Sequence, residues 1–468
     1  MKKVIFILSF ALFTLNCQSK KTEPNKNIEQ SIDALVQKYI DLDIFSGVVL
    51  LAEKGNPAYH KAFGLANRET KMKNTLNTKF DIGSMNKTFT KIVIYQLLEE
   101  GKLSLDDKLG KYLDGFHTEA SKKITINHLI NHQSGIGDYV SPGYFEAPLE
   151  SRTINGVVER IKTLPLYFEP GTEQEYSNAG FVVLGAIIEK ITSKTYAENV
   201  RERIVKPLKL KDTYLENVQA IDNRSIGYWK SASGQLENNE GMLEIPKPDG
   251  GFQSTTLDVL TFYNAYHYSE KLMRVSTKKE DEYLVFFESL KEKEGKATAQ
   301  AGGYNGANTV MYEIPSQQKS IIVFANMDEP VAEQLGAGIL KILRGETPPD
   351  PQLPARQNVY QAWEKNGIEY VKNHFEELTV NFHATDPKDL ILNELGYDLL
   401  FEGKIDEAIQ FFELNTEIFP EVANNYDSLG EAYLKKGDRD QALSLYKKAL
   451  ELDPELPSAK AMVKELEN

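Results

Sequence analysis

The sequence predicts an α+β domain, in which helices flank a sheet, followed by an all-α repeat domain. Short β-branched runs lie near residues 50 and 320, segments with helical apolar spacing lie between them, and a 34-residue repeat occupies the C-terminal part. A length of 468 residues fits two or three domains, and 41% hydrophobic with 10% aromatic residues is a globular composition. A chain that is disordered or collagen-like throughout is therefore excluded.

The first segment of the chain is predicted to direct export. Lys2 and Lys3 precede an apolar run at residues 4–15, which is too short to span a bilayer as a mature helix. The run is followed by Cys17, the single cysteine of the chain, and by a polar stretch at residues 18–27. A single cysteine can form neither an intramolecular disulfide nor a cysteine-based zinc site.

This arrangement resembles a bacterial lipoprotein signal. The resemblance implies a signal peptide over residues 1–16, a lipid on Cys17, a tether over residues 17–27, and contact with a bacterial membrane on its periplasmic or cell-surface side. A simple secretory signal with another cleavage site is the alternative, because Asn16 stands where a small residue is usual before the lipidated cysteine. Both alternatives predict an exported protein.

The predicted α+β domain covers residues 28–345. Residues 47–52 and 320–325 are β-branched runs bounded by turn residues, which indicates strands. Residues 87–98 and 181–191 carry apolar side chains at helical spacing. Strands at both ends with helices between them predict a sheet built from the two ends of the domain, together with a helical insertion.

The charge distribution separates this domain from the C-terminal part. The net charge is −14, and residues 357–468 hold 23 acidic and 11 basic residues, so the rest of the chain is close to neutral. Four prolines fall within residues 346–354, which cannot continue a helix or a central strand. We therefore predict a linker over residues 346–356 and a helical domain over residues 357–468. The acidic balance, with no basic patch, argues against nucleic acid as a partner.

The C-terminal domain repeats itself with a period of 34 residues. The repeated positions are Leu395-Gly396, Gly403, Ala408, Phe412 and Pro420, which recur as Leu429-Gly430, Gly437, Ala442, Tyr446 and Pro454. In each copy a small residue fits where two antiparallel helices touch, an aromatic side chain fills the groove, and a proline closes the second helix. The pattern resembles the tetratricopeptide repeat over residues 390–456, which implies a surface for a protein partner. Residues 359–378 are predicted to add a third helix pair and residues 460–467 a capping helix.

Ser84 is the candidate nucleophile. A serine three residues before a lysine on a helix places a hydroxyl and an amine one turn apart, so the amine could accept the serine proton. Such pairs occur at Ser84/Lys87, Ser276/Lys279, Ser316/Lys319 and Ser444/Lys447. Only Lys87 opens an apolar-faced helix that could bury the amine. The alternative is that Ser84 is a helix N-cap.

Tyr176-Ser177-Asn178 is the second candidate element, and it is the only Tyr-x-Asn sequence in the chain. It follows Glu169-Pro170-Gly171 and precedes a predicted helix. In a loop that faces the serine, the phenol could relay protons and the amide could hold a substrate carbonyl or amide. The alternative is a turn with a packed tyrosine.

These two elements, in this order, resemble the serine β-lactamase and penicillin-binding-protein superfamily, whose nucleophile lies in a Ser-x-x-Lys motif. The likeness is closest to class C β-lactamases and related esterases and D-aminopeptidases, and it covers about residues 30–345. Flanking stretches that agree with this family are Gly101-Lys102-Leu103-Ser104-Leu105, Leu129-Ile130-Asn131-His132-Gln133-Ser134-Gly135, Leu184-Gly185 and Gly250-Gly251-Phe252. The resemblance implies a β-lactamase-like fold, with an antiparallel sheet flanked by helices and a helical subdomain.

The resemblance also assigns roles to residues. It implies that Ser84 is the acylated nucleophile, Lys87 its activating amine, Tyr176 a proton relay and Asn178 a substrate anchor. The oxyanion hole would use the backbone N–H groups of Ser84 and of a residue on a neighbouring strand.

The third motif of the family, Lys-Thr-Gly or His-x-Gly, is altered in this chain. Gln300-Ala301-Gly302-Gly303 aligns with it through the glycines, which makes Gln300, Gly302 and Gly303 candidate substrate-binding residues. Gly303 could supply its N–H to an oxyanion. Gln300 can form hydrogen bonds but cannot neutralise a substrate carboxylate, which argues against efficient β-lactam hydrolysis and carboxypeptidase action.

Metal and nucleotide chemistry have little support. His128 and His132 have the spacing of a zinc pair on a helix, but Leu129 stands where the metalloprotease motif has its glutamate. The chain has no phosphate-binding loop of the Gly-x-x-x-x-Gly-Lys-Ser/Thr type. No metal or organic cofactor is implied.

The function expected from the sequence is an exported serine hydrolase that forms an acyl-enzyme with a small-molecule or peptide ester or amide, with a repeat tail for protein interaction. The alternative is a catalytically inactive β-lactamase-like lipoprotein that binds a peptide or peptidoglycan fragment. The intact Ser84, Lys87, Tyr176 and Asn178 favour the enzyme, whereas Gln300 favours the binding protein.

Overall fold

The computed structural model describes residues 26–116, 121–140, 144–145, 147–231, 234–242, 244–328, 330–380 and 388–467. The predicted signal peptide, Cys17 and most of the predicted tether lie outside these residues. The first helix begins at Lys26, so the last two residues of the predicted tether are helical.

A five-stranded antiparallel sheet forms the centre of the α+β domain. Its strands are β1 (Gly47–Glu53), β2 (Asn56–Phe63), β9 (Thr298–Tyr304), β10 (Ala307–Ile314) and β11 (Lys319–Ala325). The order across the sheet is β2-β1-β11-β10-β9, and Gly47 on β1 pairs with Ala325 on β11. The sequence-based expectation of a sheet built from the two ends of the domain is therefore confirmed.

Both faces of the sheet are buried, which explains why the central strands are apolar almost throughout. On β1, Val48 and Leu50 contact the core of the helical region, whereas Val49 and Leu51 contact a second core on the opposite face. This alternation follows from the two-residue period of a strand. The domain therefore has three layers, with the sheet in the middle.

The helices of this domain fall into two groups. The second core contains α1 (Lys26–Asp41) and α11 (Val331–Leu343), which cover one face of the sheet. The region between β2 and β9 holds the others, which are α2 (Lys87–Glu99), α3 (Ile126–Ile130), α4 (Ile154–Ile161), α5 (Asn178–Thr192), α6 (Tyr196–Val200), α7 (Lys206–Leu208), α8 (Thr256–Tyr268), α9 (Val275–Lys278) and α10 (Glu282–Leu290).

Three short strand pairs lie in the same region between β2 and β9. They are formed by β3 (Leu65–Asn67) with β4 (Met72–Lys73), β5 (Phe80–Asp81) with β8 (Gln253–Ser254), and β6 (Tyr228–Lys230) with β7 (Leu236–Asn238). The pairing of β5 with β8 fixes the segment that leads into Ser84.

The repeat domain consists of helices alone among its described residues. They are α12 (Ala355–Asn366), α13 (Ile368–Leu378), α14 (Asp389–Phe401), α15 (Ile405–Ile418), α16 (Ala423–Lys436), α17 (Arg439–Leu452) and α18 (Pro457–Leu466). Helices α12 to α16 share one core, in which Phe412 lies against Gly396 as the repeat pattern predicts. The predicted third pair is present as α12 and α13, and α12 begins at Ala355, inside the predicted linker.

Glu313 on β10 gives a prediction about pH dependence. This side chain is 2% exposed, and the hydroxyls of Ser320 and Tyr268 donate hydrogen bonds to it at 2.5 Å. Burial nevertheless raises the pKa of Glu313 from 4.5 to about 7. The folded state therefore holds a proton that the unfolded state has lost, so the free energy of unfolding should fall as the pH rises from 4.5 to 7.

Glu313→Gln removes this titration and keeps a neutral hydrogen-bonding group of the same shape. The variant should be more stable than the native protein at pH 8, by up to about 3 kcal/mol, and the difference should shrink towards pH 5. Urea unfolding between pH 5 and pH 8 measures the difference. Parallel pH profiles for the two proteins would show that the Glu313 carboxyl does not titrate in this range.

Candidate active site

Ser84 lies in a tight turn between β5 and α2. A single 3₁₀ turn, Gly83–Asn86, joins the two elements, and Gly83 has a positive φ of 48° that favours glycine. The Asp81 carboxylate accepts a hydrogen bond from the Gly83 N–H at 2.8 Å and one from the Gln253 side chain at 3.0 Å. Burial raises the pKa of Asp81 to about 6. The alternative role of Ser84 as a helix cap is not observed, since Asn86 holds the N-cap position of α2.

Lys87 is the first residue of α2 and its side chain is buried. The side-chain nitrogen donates hydrogen bonds to Ser84 Oγ at 3.0 Å, to Asn178 Oδ1 at 2.7 Å and to the Asp249 carbonyl at 2.8 Å. These three contacts hold the Lys87 nitrogen in one position beside the serine. The structure therefore places the predicted serine and lysine in direct contact.

Tyr176 completes a chain of three polar groups. Its hydroxyl lies 2.5 Å from Ser84 Oγ, and its ring lies 4.8 Å from the Lys87 nitrogen. The Tyr176 side chain is 57% exposed, so it is not the packed turn tyrosine of the alternative reading. A hydroxyl that contacts both the serine and the solvent-facing side of the site can carry a proton between them.

His132 positions the Tyr176 loop. Its ring stacks on the Tyr176 ring at 4.9 Å, and its Nδ1 accepts a hydrogen bond from the Ser177 N–H at 3.0 Å. Burial, with help from the nearby Lys87 charge, lowers the pKa of His132 to about 4, so the imidazole is neutral and Nδ1 can accept. His128 is the other histidine of the possible zinc pair. In the structure it instead forms a capping box with Thr125 at the start of α3.

Asn178 is fixed by the start of α5. Ser177 caps this helix by accepting a hydrogen bond from the Gly180 N–H at 3.1 Å. The cap orients the first residue of the helix, Asn178, so that its Oδ1 meets the Lys87 nitrogen. Three consecutive residues thus have three roles. Tyr176 supplies a hydroxyl to Ser84, Ser177 caps α5, and Asn178 supplies an amide to Lys87.

Strand β9 lies directly against the Ser84 turn. A Cβ on Gly302 would come within 2.1 Å of the Ile82 carbonyl oxygen and 2.7 Å of the Ser84 nitrogen. Tyr304 and Ala307 flank a two-residue turn, which makes Gly303 and Asn308 the next, non-hydrogen-bonded pair. This register turns the Gly303 N–H to the open edge of the sheet, where the Ser84 turn lies.

Two cavities meet at Ser84, which alone among the described residues lines both. The first has a volume of about 170 Å³, and its lining includes Asp81, Tyr139, Asn178, Glu244, Asp249 and Gly303. The second has a volume of about 270 Å³, and its lining includes Lys87, Lys91, Tyr176, Glu282, Tyr283 and Gln300. A substrate bond placed over the serine could therefore send one group into each cavity.

The predicted substrate-binding residues are thus divided between the two sides. Asn178 and Gly303 line the first cavity, whereas Gln300 lines the second. Gly302 lines neither cavity, and it allows the strand to approach the Ser84 turn.

Asp249 was missed by the sequence analysis. Its carbonyl accepts from Lys87, and its carboxylate accepts a hydrogen bond from the Tyr139 hydroxyl at 2.7 Å. Every residue type has a carbonyl, so no sequence signal could single out this contact. The adjoining Gly250-Gly251 pair was the nearest available indication.

The described residues begin at Lys26, after the predicted lipid site. Cys17, the predicted lipid site, lies outside them. Within the ranges given above, no helix combines the length and the apolar character that crossing a membrane requires.

Comparisons with known proteins match a family to each of the two parts of the chain. The family model for Beta-lactamase matches residues 32–344, and a Tetratricopeptide repeat model matches residues 389–455. The second range lies close to the predicted repeat at 390–456. The resemblances of the two domains to the β-lactamase superfamily and to the tetratricopeptide repeat are therefore confirmed.

Two relatives and one solved structure illustrate the likeness. Penicillin-binding protein 4* of Bacillus subtilis is 28% identical over 369 residues, covering 72% of this chain and 79% of that protein. A teichoic acid D-alanine hydrolase of Staphylococcus aureus is 34% identical over 225 residues, covering 48% of this chain and 55% of that protein. The octameric penicillin-binding protein homologue from Pyrococcus abyssi has a similar fold, with a TM-score of 0.59 and 23% identity over 73% of this chain and 82% of that chain.

The family match covers about two thirds of the chain, and it includes every residue of the Ser84 site. The chain therefore belongs to the Beta-lactamase family, as a serine hydrolase of the β-lactamase and penicillin-binding-protein superfamily with C-terminal tetratricopeptide repeats.

Proposed function

We propose that the protein hydrolyses an ester or amide through an acyl-enzyme on Ser84. The observation that carries this proposal is the continuous contact of Lys87, Ser84 and Tyr176, in which the serine oxygen lies 3.0 Å from the amine and 2.5 Å from the phenol. A serine is a weak nucleophile unless a neighbouring group accepts its proton. Here two such groups contact the same oxygen.

The arrangement supports a two-step reaction. Ser84 Oγ attacks the substrate carbonyl carbon as Lys87, in its unprotonated amine form, accepts the serine proton along the Lys87–Ser84 contact. The amine then returns a proton through Tyr176 for the leaving atom. The N–H groups of Ser84 and Gly303 stabilise the oxyanion, since both lie where β9 meets the serine turn. Tyr176 protonates the leaving atom, and water then attacks the acyl-serine by the same route in reverse.

The D-alanyl esters are the first substrates to test. The staphylococcal relative is named as a teichoic acid D-alanine hydrolase, and it is 34% identical over 48% of this chain. Asn178, in the first cavity, is the group that would hold the acyl side of such a substrate. An ester or amide with a small acyl group also suits the volume of about 170 Å³.

We also propose that the protein is exported and that its repeat domain binds a protein partner. The sequence pattern at residues 1–17 supports export and a lipid on Cys17. A tetratricopeptide stack presents an extended groove for a peptide or helix, which supports a protein partner for the repeat domain.

Probe labelling tests the proposal. The native protein is treated with a fluorophosphonate or a penicillin, digested with trypsin and analysed by mass spectrometry. Trypsin should release residues 80–87, a peptide in which Ser84 is the only hydroxyl side chain. We expect the adduct on this peptide and release of D-alanine from D-alanyl esters. An unlabelled peptide together with no turnover would contradict the proposal and favour the inactive binding protein.

A further inference from the structure

Tyr176 lines the second cavity, and its role as a proton donor determines which part of a substrate enters this cavity. The group that protonates the leaving atom must lie beside that atom. Tyr176 lines the second cavity, whereas Asn178 and Gly303 line the first. On the proposed function, the second cavity therefore receives the leaving group.

The cations that line this cavity already have partners. Lys91 forms an ion pair with Asp281 at 2.9 Å, and the Asp281 side chain is fully buried. The Tyr266 hydroxyl donates to the second oxygen of the same carboxylate at 2.5 Å. The Lys87 nitrogen is likewise engaged, because it contacts Ser84 Oγ, Asn178 Oδ1 and the Asp249 carbonyl. Neither lysine has an uncommitted charge to offer a substrate.

The other polar groups that line this cavity, within the part of the chain that the structure describes, are neutral or negative. Glu282 is exposed and accepts a hydrogen bond from the Asn131 amide at 3.2 Å. Gln300 contacts the Tyr283 hydroxyl, so an amide and a phenol face the cavity from that side. His132 is neutral because burial lowers its pKa to about 4. A carboxylate that entered here would lose water, gain no cation and face Glu282.

We propose that this enzyme selects substrates whose leaving group carries no carboxylate, and that the leaving group is an uncharged hydroxyl- or amide-bearing group. The inference rests on the proposed function and narrows its substrate class. In the acylation step the bond from the acyl carbon to Ser84 Oγ forms, and the bond from that carbon to the leaving atom breaks. The serine proton reaches the leaving atom through Tyr176, so the leaving group departs as a neutral alcohol, thiol or amine.

A pair of thioesters that differ only in the leaving group tests this inference. D-Alanyl thioesters of mercaptoacetamide and of mercaptoacetate, each prepared with a free and an N-acetylated amine, share their acyl groups and differ in one charge. Released thiol is measured continuously. We expect kcat/KM for the amide-bearing thioester to exceed that for the carboxylate-bearing one by about 10-fold or more, since a tenfold ratio corresponds to about 1.4 kcal/mol.

Gln300→Lys should change that ratio. The variant places a cation in the second cavity, so it should raise the relative kcat/KM of the carboxylate-bearing thioester by about 10-fold. Gln37→Lys is the matched control, because Gln37 is exposed on α1 and lines neither cavity. The control should keep the native ratio.

The outcomes separate the inference from the proposed function. Equal rates for the two thioesters, or a faster carboxylate-bearing one, would overturn the inference while acyl transfer at Ser84 stands. An unchanged ratio in Gln300→Lys would also overturn it, because Gln300 would then not face the leaving group. If neither thioester is cleaved and Ser84 is not acylated, both proposals fail.

Discussion

Replacing Ser84 by alanine is expected to lower kcat for a D-alanyl ester by at least about 10,000-fold, because the covalent route is lost entirely. Lys87 and Tyr176 would remain, but they would have no oxygen to activate. The adduct on residues 80–87 should disappear at the same time. Steady-state hydrolysis and peptide mapping measure the two effects, and circular dichroism checks that the variant is folded.

Ser444→Ala is the matched control for this variant. Ser444 and Lys447 have the same three-residue spacing, but both are exposed on α17 of the repeat domain. The control should keep native activity and labelling. Full activity in Ser84→Ala would show that another residue is the nucleophile.

Replacing Lys87 by methionine is expected to lower kcat/KM by about 1,000-fold, which is within the range for loss of a positioned general base. Methionine keeps the length of the side chain but cannot accept the serine proton. It also leaves Asn178 Oδ1 and the Asp249 carbonyl without their donor, so the Tyr176 loop should be held less firmly. Kinetics with a D-alanyl ester and the rate of probe labelling both report the loss.

Lys447→Met controls for the change of residue type at an exposed position. It should leave kinetics and labelling as in the native protein. If Lys87→Met still labels at the native rate, Tyr176 alone must activate Ser84. A thermal midpoint close to that of the native protein is needed before either result is interpreted.

The sheet was predictable because its strands have strong local signals. The apolar runs on β1 and β11 reflect burial on both faces, and this pattern is visible without a structure. The edge strand β9 has a weaker signal, since Thr298–Tyr304 contains two glycines and exposed residues. Its place beside Ser84 was available only through the resemblance of its glycines to a family motif.

Residues of the candidate site could be predicted from the sequence where the side chain itself supplies the reactive group. Among four serine–lysine pairs, the apolar context of α2 correctly singled out the one whose amine is buried. His132 shows the opposite case. Its spacing from His128 raised the possibility of a metal pair, whereas in the structure its Nδ1 accepts a hydrogen bond from the Ser177 N–H and its ring stacks on Tyr176. A contact between a side chain and a backbone group cannot be predicted from the spacing of residue types, because every residue has backbone groups.

The second cavity could not be foreseen from local patterns. Glu282 and Tyr283 are the first residues of α10, and the ion pair between Lys91 and Asp281 holds the start of this helix beside the site. These residues come from segments that are about 190 positions apart in the chain. Long-range placement of this kind depends on the tertiary fold.

The pairing of β1 with β11 has a consequence for how the protein is made. Val49 meets Val323, so the central sheet cannot close until the ribosome has synthesised almost the whole α+β domain. Contacts of such high sequence separation slow folding and leave apolar strands unpaired in the meantime. A nascent chain that ends before Gly302 already contains Ser84 and Lys87, but it lacks the strand that lies against them. The packing of a strand against the Ser84 turn is thus completed only after β9 has been synthesised.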